Sequence, residues 1–427
     1  MKILVYGLNY SPEITGAGKY TGEMAAWLAR RGHEVRVVTA PPYYPAWRVD
    51  SAYRGRSYCV ESSPGTLAPR VYRCPLWVPA KPRGGSRIVH LMSFALSSAP
   101  VMALQTLWKP DIVFTIEPTF FGAPVALLSA TFAGAASWLH VQDFEVDAAF
   151  RLELLPKDGR IHWLAKGFER FFTGCFTRVS TISAKMVERI VAKGAVRGEV
   201  LLFPNWGDTE AVKPAEPGSE NPFRKLLNLQ DKIVFLYSGN LGVKQGLEIL
   251  DPLSASFEDD PRVHFLICGD GAFRAPLKAL IGKRKNVTML PLQPVERLND
   301  LLNAADIHLL PQRRGVADLV MPSKLYGILA SGRPVIATTD LNTQVASIVE
   351  GCGLVVPAED PASLRSAAVR LVEDYDLRTS LGMAAREYAV KYLGKEPVLC
   401  RFEQDMVALV KPPERTEDVQ LAQSYRG

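Results

Sequence analysis

Apolar residues in this chain come in short runs that end at glycine-bearing turns, and helix-like segments follow these turns. The clearest runs are Lys2–Gly7, followed by Gly16-Ala-Gly18, and Ile233–Ser238, followed by Gly239-Asn-Leu-Gly242. A strand, a glycine turn and a helix N-terminus can surround an anion with backbone N–H groups. Two such units about 230 residues apart predict two Rossmann-like domains that face a central cleft, an arrangement suited to a nucleoside diphosphate compound.

Strands and helices alternate along both halves of the chain. In the first half, a predicted strand at Lys2–Gly7 leads to a helix at Tyr20–Arg31 and a strand at Glu34–Thr39. In the second half, strands are predicted at 233–238, 263–268, 287–290, 307–310 and 334–338, and helices at Pro361–Glu373, Leu377–Lys391 and Lys395–Val410. Such alternation predicts an α/β protein with parallel sheets and crossover helices.

A change in composition marks the junction between the halves. Val212–Asn221 is rich in Pro, Glu, Gly and Ser, as linkers are. We therefore predict a first domain at 1–208 and a second at 209–394. A helix at 395–411 is expected to pack back on the first domain, and the charged tail at 412–427 is expected to be disordered.

Composition and charge narrow the class of protein. The 427 residues are 48% hydrophobic and 22% charged, which is typical of a globular chain of two domains. A net charge of +6 suits anionic small molecules or an anionic membrane surface and is too weak to favour nucleic acid. The six cysteines are scattered and the six histidines lack metal-ligand spacing, so we predict a reducing, cytoplasmic compartment and no metal site.

Two apolar stretches are long enough to be considered as membrane segments. Ile88–Trp108 and Gly122–Leu139 are nearly free of charge. Both contain small polar residues and lead into strand-like segments, so we predict buried helices of a doubly wound sheet, with a helix resting on the membrane as the alternative. Lys81, Arg83 and Arg87 precede the first stretch and predict salt-sensitive attachment to an anionic surface.

Seven short motifs follow one another along the chain: Asn9-Tyr-Ser-Pro-Glu-Ile-Thr-Gly16, Pro41-Pro-Tyr-Tyr-Pro-Ala-Trp47, His140-Val-Gln-Asp143, Pro204-Asn-Trp206, Ser238-Gly-Asn-Leu-Gly242, Gly269-Asp-Gly271 and Pro322-Ser-Lys324. Their order and content resemble the GT-B glycosyltransferases of family 4, in the branch that builds bacterial exopolysaccharides of the colanic-acid type. The resemblance covers nearly the whole chain.

That resemblance implies retaining transfer of a hexosyl-type sugar from a nucleotide-sugar donor to a glycan acceptor, with no metal and no cofactor. The first domain would be the acceptor side and the second would bind the nucleotide sugar. A polyprenyl-diphosphate-linked acceptor would place the protein, as a peripheral protein, on the cytoplasmic face of the inner membrane.

The resemblance also assigns residues to the donor. Lys324 and Lys244 would stabilise the departing diphosphate. Donor-binding positions would be Gly16, Gly18, Gly239, Asn240, Gly242, Gly269, Gly271, Leu290, Asp318 and Ser323. Alternatives are a plain tight turn at Gly16–Gly18 and an exposed surface lysine at Lys324.

This chain departs from the family pattern around the donor diphosphate. Asn240 and Gln245 stand where many relatives have arginine and lysine, with Lys244 one residue early. Leu319 and Gly327 occupy the positions of the two usual glutamates, eight residues apart. Asp318, next to the first of these, is a candidate replacement.

On the acceptor side, the resemblance assigns Asp143 to the acceptor hydroxyl, as a catalytic group that orients it or accepts its proton. Helix capping is the alternative for Asp143. His140, Tyr43, Tyr44 and Trp47 would contact the acceptor, although the aromatic loop could equally be packed. Two rival functions stay open, a non-catalytic GT-B partner protein and a sugar-nucleotide epimerase, and donor hydrolysis or transfer would separate them from a transferase.

Overall fold

The computed structural model describes residues 1–13, 16–44, 46–55, 57–62, 67–80, 85–118, 120–144, 160–194, 200–216, 218–242, 245–314 and 322–411. Predictions that concern Lys81, Arg83, Lys244, Asp318, Leu319 and the tail at 412–427 lie outside these residues. The described chain forms two compact units. One comprises Met1–Ile182, Val187–Phe203 and the chain from Leu399, and the other comprises Ser183–Met186 and Pro204–Val398.

The first unit is built on a sheet of eight strands within the described residues, in the order β3-β4-β2-β1-β5-β6-β7-β8. The strands are β1 (Lys2–Gly7), β2 (Glu34–Thr39), β3 (Cys59–Glu61), β4 (Arg70–Arg73), β5 (Ile112–Glu117), β6 (Ala136–Val141), β7 (Arg178–Thr181) and β8 (Val200–Leu202). Its helices are α1 (Gly16–Arg30), α2 (Gly85–Thr106), α3 (Ala123–Ala133), α4 (Arg160–Cys175) and α5 (Ala184–Ala192). Neighbouring strands are parallel except at β3–β4, where they are antiparallel.

The second unit has a six-stranded, fully parallel sheet among its described residues, in the order β11-β10-β9-β12-β13-β14. Its strands are β9 (Ile233–Ser238), β10 (Val263–Cys268), β11 (Val287–Leu290), β12 (Ile307–Pro311), β13 (Val335–Thr338) and β14 (Gly353–Val356). Its helices are α6 (Pro222–Leu227), α7 (Leu250–Ala255), α8 (Arg274–Ile281), α9 (Leu298–Asn303), α10 (Ser323–Ala330), α11 (Gln344–Val349), α12 (Pro361–Glu373) and α13 (Tyr375–Tyr388). A π-helical turn, Ala389–Leu393, leads into the last helix, α14 (Lys395–Val410).

The strand order reverses direction once in each sheet, between β1 and β5 and between β9 and β12. In open parallel sheets, ligands bind beyond the carboxyl ends of the strands at this switch point, because the two flanking loops diverge there and leave a crevice. The turn after β9 and the start of α10, the helix that follows β12, therefore define the place where the second unit is expected to hold a ligand.

The apolar runs become central strands because helices cover both faces of the sheets. In β5 every residue is buried, and in β1 every residue but the first. The core of the first unit is completed by α14, whose Phe402 ring stacks on Phe203 at 3.9 Å between centroids and lies 5.1 Å from that of Phe114.

Most predicted bounds are confirmed: Lys2–Gly7, Glu34–Thr39, Ile233–Ser238, Val263–Cys268 and Val287–Leu290 are strands over the predicted residues. One local prediction was wrong: Gly16 and Gly18 belong to the first turn of α1 and not to a loop before it. The apolar stretch from Gly122 divides into α3 and β6, and β3, β4 and β14 escaped the sequence analysis. The first two have only three and four residues, too few to show a periodic pattern.

Candidate functional site

Two glycine turns interlock at the carboxyl ends of β9 and β10. A Cβ on Gly269 would lie 1.9 Å from the carbonyl oxygen of Gly239, and one on Gly271 would lie 2.5 Å from that of Leu241. Backbone hydrogen bonds tie the turns together, from Gly239 to Cys268 at 2.9 Å and from Leu241 to Asp270 at 2.8 Å. Glycine is required here because both the positive φ of Gly269 (152°) and the close backbone approach exclude a side chain.

Lys324 lies on this pair of turns. It occupies the first turn of α10, and its Nζ and Cε are each 3.5 Å from the Cβ position of Gly239. The ammonium donates a hydrogen bond of 2.9 Å to the Tyr237 hydroxyl and lies 4.2 Å from the centroid of the Tyr237 ring. The hydroxyl in turn donates to the carbonyl oxygen of Asn240 at 2.7 Å. Lys324 is thus held beside the β9 turn, and the alternative of a freely exposed surface lysine does not describe it.

Burial shapes the electrostatics of this site. It lowers the pKa of Lys324 from 10.5 to about 8, because the charged ammonium loses water and has no carboxylate partner in the described part of the chain. Burial raises the pKa of Tyr237, so the phenol stays neutral and keeps donating to Asn240. A bound anion would restore the missing counter-charge. The arrangement is therefore suited to a ligand that brings negative charge to the turn after β9.

Further groups complete the rim of the site. Arg274 donates from α8 to the carbonyl oxygens of Gly269 and Leu290, the latter at 3.1 Å, and so fixes the turn after β10. Gln245 has a buried Oε1 with no hydrogen-bond partner among the described residues, 2.7 Å from the Cβ position of Gly242. Ser323, the first residue of α10, is exposed at the helix N-terminus, where free N–H groups favour anions.

Two residues of this site, Tyr237 and Arg274, were not among the predicted site residues. Tyr237 is the next-to-last residue of β9 and was read only as part of an apolar strand. Arg274 follows Gly269-Asp-Gly271 by three residues, with nothing local to separate it from a surface arginine. Only their positions could have indicated a role. Tyr237 lies at the carboxyl end of a central strand, and Arg274 lies in the first turn of the helix that follows a pair of glycines.

The position of one missing family glutamate is packed by apolar atoms. A Cβ on Gly327 would lie 3.1 Å from Cδ1 of Leu302. Because Gly327 carries no side chain, no acid acts from this position of α10.

In the first unit, a buried carboxylate joins the loops after β1 and β2. Glu13 accepts hydrogen bonds from the backbone N–H groups of Tyr43 and Tyr44, both at 3.0 Å, and from Asn9 Nδ2 at 2.9 Å. A Cβ on Gly18 would lie 2.6 Å from Glu13 Oε2, so this glycine serves close packing of α1 on the loop. Glu13 stands inside a motif of the sequence analysis, but its role as the loop anchor was not foreseen.

The aromatic loop divides into a packed part and an exposed part. Tyr43 is buried, and its ring contacts those of Trp47 and His90 at centroid distances of 5.7 and 4.9 Å. Tyr44 is 42% exposed and lies 3.9 Å from the Cβ position of Gly16. Among the three aromatic residues predicted for the acceptor, only Tyr44 presents a largely free ring.

His140 and Asp143 differ sharply in environment. His140 is buried between Phe114 and Phe203, with Nδ1 2.9 Å from the Ser180 hydroxyl, and burial lowers its pKa to about 3. Such burial argues against contact between His140 and an acceptor. Asp143 follows β6 by two residues and is exposed at the carboxyl edge of the sheet.

The described residues do not bring metal ligands together. They contain no group of three or more His, Cys, Asp or Glu side chains that could hold a metal ion. Two cations lie beside the interlocked glycine turns in this part of the chain: Arg274, which is bonded to the carbonyl oxygens of Gly269 and Leu290, and Lys324, whose ammonium is bonded to the Tyr237 hydroxyl.

Each of the two units is similar to a known protein family. Residues 15–206 match the family model described as a glycosyl transferase 4-like domain, and residues 219–388 match that of the glycosyl transferases group 1. WcaI of Escherichia coli, a glycosyl transferase named for colanic acid biosynthesis, is 42% identical over 411 residues, which cover 95% of this chain and 100% of WcaI.

Solved structures share the fold at low identity. Sucrose-phosphate synthase from Thermosynechococcus elongatus superposes with a TM-score of 0.67 at 18% identity, covering 96% of this chain and 99% of that one. Anabaena HepE, solved in complex with UDP, gives a TM-score of 0.66 at 15% identity, covering 96% and 100%. With two parallel-sheet α/β units, two matching family models and a relative of full-length coverage, the chain belongs to the family 4 glycosyltransferases of GT-B fold, in the group of the colanic acid biosynthesis glycosyltransferases.

Proposed function

We propose that this protein transfers a hexosyl-type sugar, with retention of configuration, from a nucleoside diphosphate donor to a glycan carried on polyprenyl diphosphate, in exopolysaccharide assembly of the colanic-acid type. The donor would bind the domain at 209–394 and the acceptor the domain at 1–208. The observation that carries the proposal is the ammonium of Lys324, held by Tyr237 beside Gly239 at the switch point of the second sheet.

The chemistry of this site fits a departing nucleoside diphosphate. As the bond between the sugar and the diphosphate breaks, negative charge grows on the leaving oxygen. A cation and backbone N–H groups fixed beforehand stabilise that charge without reorganising, which is a preorganised electrostatic effect. The N–H groups of Gly239, Gly269 and Gly271 already donate to Cys268, Leu290 and Asp270. We therefore assign this role to Lys324, beside the Gly239 turn, and to Lys244 from outside the described residues.

On the acceptor side, Asp143 would orient the acceptor hydroxyl or accept its proton, since it is exposed at the carboxyl edge of the first sheet. Tyr44 would stack on a sugar ring. We propose that the reaction uses neither a cofactor nor a metal ion, because Lys324 supplies the positive charge at the leaving group. Activity is then expected to survive EDTA, and loss that magnesium restores would contradict this part of the proposal.

The decisive experiment measures donor turnover by the purified full chain. After nucleotide sugars have been screened for slow hydrolysis or transfer, Lys324→Ala is expected to lower turnover by about 100-fold or more. Lys225→Ala is the matched control, because Lys225 is an exposed lysine of the same unit whose ion pair, among the described residues, is with Glu220 at the surface. NMR of the product's anomeric centre would test retention.

The outcomes separate the rival functions. Hydrolysis or transfer that Lys324→Ala abolishes supports the transferase. Nucleotide binding with no turnover on any donor or acceptor favours a non-catalytic partner protein. Interconversion of two nucleotide sugars without release of the nucleotide would identify an epimerase.

A further inference from the structure

The solvent-facing side of α2 is apolar along its whole length. Its large exposed side chains are Val89, Met92, Leu96 and Leu104, and Leu107 continues the row just beyond the helix. Leu96, Leu104 and Leu107 are 70%, 64% and 80% exposed. These positions lie three, four or eight residues apart, so they share one helical face. A water-facing helix normally carries polar residues there.

The neighbouring helices extend this surface. α2 packs against α3, and α3 against α4. On α3, Leu128 and Phe132 are 58% and 79% exposed, and on α4, Trp163 and Phe171 are 74% and 65% exposed. We define the apolar face as the exposed large side chains of the three helices: Val89, Met92, Leu96, Leu104, Leu107, Leu128, Phe132, Trp163 and Phe171. Contiguous exposed apolar surface of this kind marks an interaction site.

The opposite side of α2 holds the helix against the sheet. Phe94 and Met102 are fully buried there, and Ser98 lies 2.8 Å from the hydroxyl of Tyr6. Gln105 accepts a hydrogen bond from Arg36 at 3.0 Å. Among the described residues, α2 is the one helix long and apolar enough to cross a membrane, with a third of its apolar window buried. Because its inner side is built into the core, α2 is fixed along the surface of the unit.

Within the described residues of α2, α3 and α4, the exposed charged side chains are basic. Helices α2 and α3 contain no Asp or Glu, and the first turn of α2 contains Arg87. On α4, Lys166 and Arg170 are exposed, whereas the acid between them, Glu169, is buried and bonded to Lys193 at 2.6 Å. Three helices that present apolar side chains, a tryptophan and basic residues, with no exposed acid among their described residues, match the boundary of an anionic lipid layer. Glu34, which accepts a hydrogen bond from Trp108 at 2.8 Å, is an exposed acid at the end of the face.

We propose that the apolar face inserts into the surface of an anionic membrane, with α2 lying parallel to the membrane plane. This inference rests on the proposed lipid-linked acceptor for its purpose, since it would bring the acceptor-side unit to the carrier lipid. It also changes the expected mode of attachment. Basic residues alone would give binding that salt abolishes, whereas inserted leucine, phenylalanine and tryptophan side chains add binding that salt does not screen.

The test is sedimentation of the full chain with phosphatidylcholine vesicles that contain phosphatidylglycerol, at low and at about 1 M salt, where screening acts over about 3 Å. Leu96→Asp with Leu104→Asp is expected to weaken vesicle partitioning by at least about tenfold, because two apolar groups are lost from the lipid. Leu226→Asp is the control: Leu226 is 69% exposed, like Leu96, but belongs to the other unit. The wild type is expected to remain partly bound at high salt.

The proposal is overturned if the wild type ignores vesicles at low salt, or if the double variant partitions as well as the wild type. It is also overturned if the chain forms a dimer in solution that the double variant dissociates without any lipid effect, since a second copy would then cover the face. Vesicle binding needs no turnover. Lys324→Ala should leave it unchanged, so failure of the proposed function and failure of this inference are seen separately.

Discussion

Lys324 provides a prediction about proton uptake, because its ammonium must be protonated to bind an anion. In the free protein, burial lowers its pKa from 10.5 to about 8, so the ammonium is charged below pH 8 and neutral above it. A bound diphosphate favours the charged form and raises the pKa again. Binding a nucleoside diphosphate between about pH 8 and 10.5 must therefore take up a proton, and affinity must fall as pH rises through 8.

The magnitude follows from the same shift. The difference between 10.5 and about 8 corresponds to at most roughly 3 kcal/mol, or a few hundredfold in affinity, if the ligand cancels the whole cost of burial. Affinity for UDP or GDP is expected to be steady near pH 7.5 and to approach a tenfold fall for about each pH unit above 8.

Calorimetric titration in two buffers of different ionisation enthalpy measures both quantities. At pH 9 the wild type should take up close to one proton, and Lys324→Gln, which is neutral at every pH, should take up none. Lys324→Arg keeps its charge throughout and should lose the slope while retaining affinity. An unchanged slope in Lys324→Gln, or no proton uptake by the wild type at pH 9, would refute the reasoning.

Tyr237→Phe removes the hydroxyl that accepts the hydrogen bond of the Lys324 ammonium, which should lower the pKa of Lys324 further. In a pH–rate profile the alkaline fall in activity should therefore begin below pH 8, and an unchanged profile would contradict the pairing. Asp143→Asn keeps shape and removes charge, so transfer should drop while nucleotide binding stays; lost thermal stability with normal transfer would indicate helix capping instead. Gly269→Ala should lower the free energy of unfolding by at least about 2 kcal/mol in denaturant titration, because its Cβ meets the oxygen of Gly239 at 1.9 Å. Gly351→Ala, with nothing within 4 Å, is its control, and equal stability of the two variants would contradict the packing argument.

The pattern of apolar residues predicted a strand correctly where both faces of that strand are buried. The runs that became β1, β9 and β10 are buried on both faces, so they read as continuous apolar segments with clear ends. The Pro322-Ser-Lys324 motif coincides with a helix start, since α10 begins at Ser323. Strands β3 and β4 were not predicted because they have only three and four residues, too few to show a pattern of burial.

Residue roles proved harder to predict than elements. His140 stands next to a strand end in the sequence, as a ligand-binding residue would, yet its side chain turns into the core between two phenylalanines. Trp47 was expected at a sugar and instead packs beside His90, 5.4 Å between ring centroids. In both cases the strand or loop position was foreseen, but the direction of the side chain depends on packing partners that are distant in sequence.

The sequence by itself determined two α/β units, the glycine turns at the ends of β9 and β10, and the basic residue at the start of α10, because each is a local pattern of few residues. Only the tertiary structure decided that Lys324 meets Tyr237, 87 residues away, and that Gly269 meets the oxygen of Gly239. It also decided which side of α2 faces water. Periodicity reports how apolar a helix is on each side, whereas the neighbours that cover or expose each side are supplied by strands and helices far along the chain.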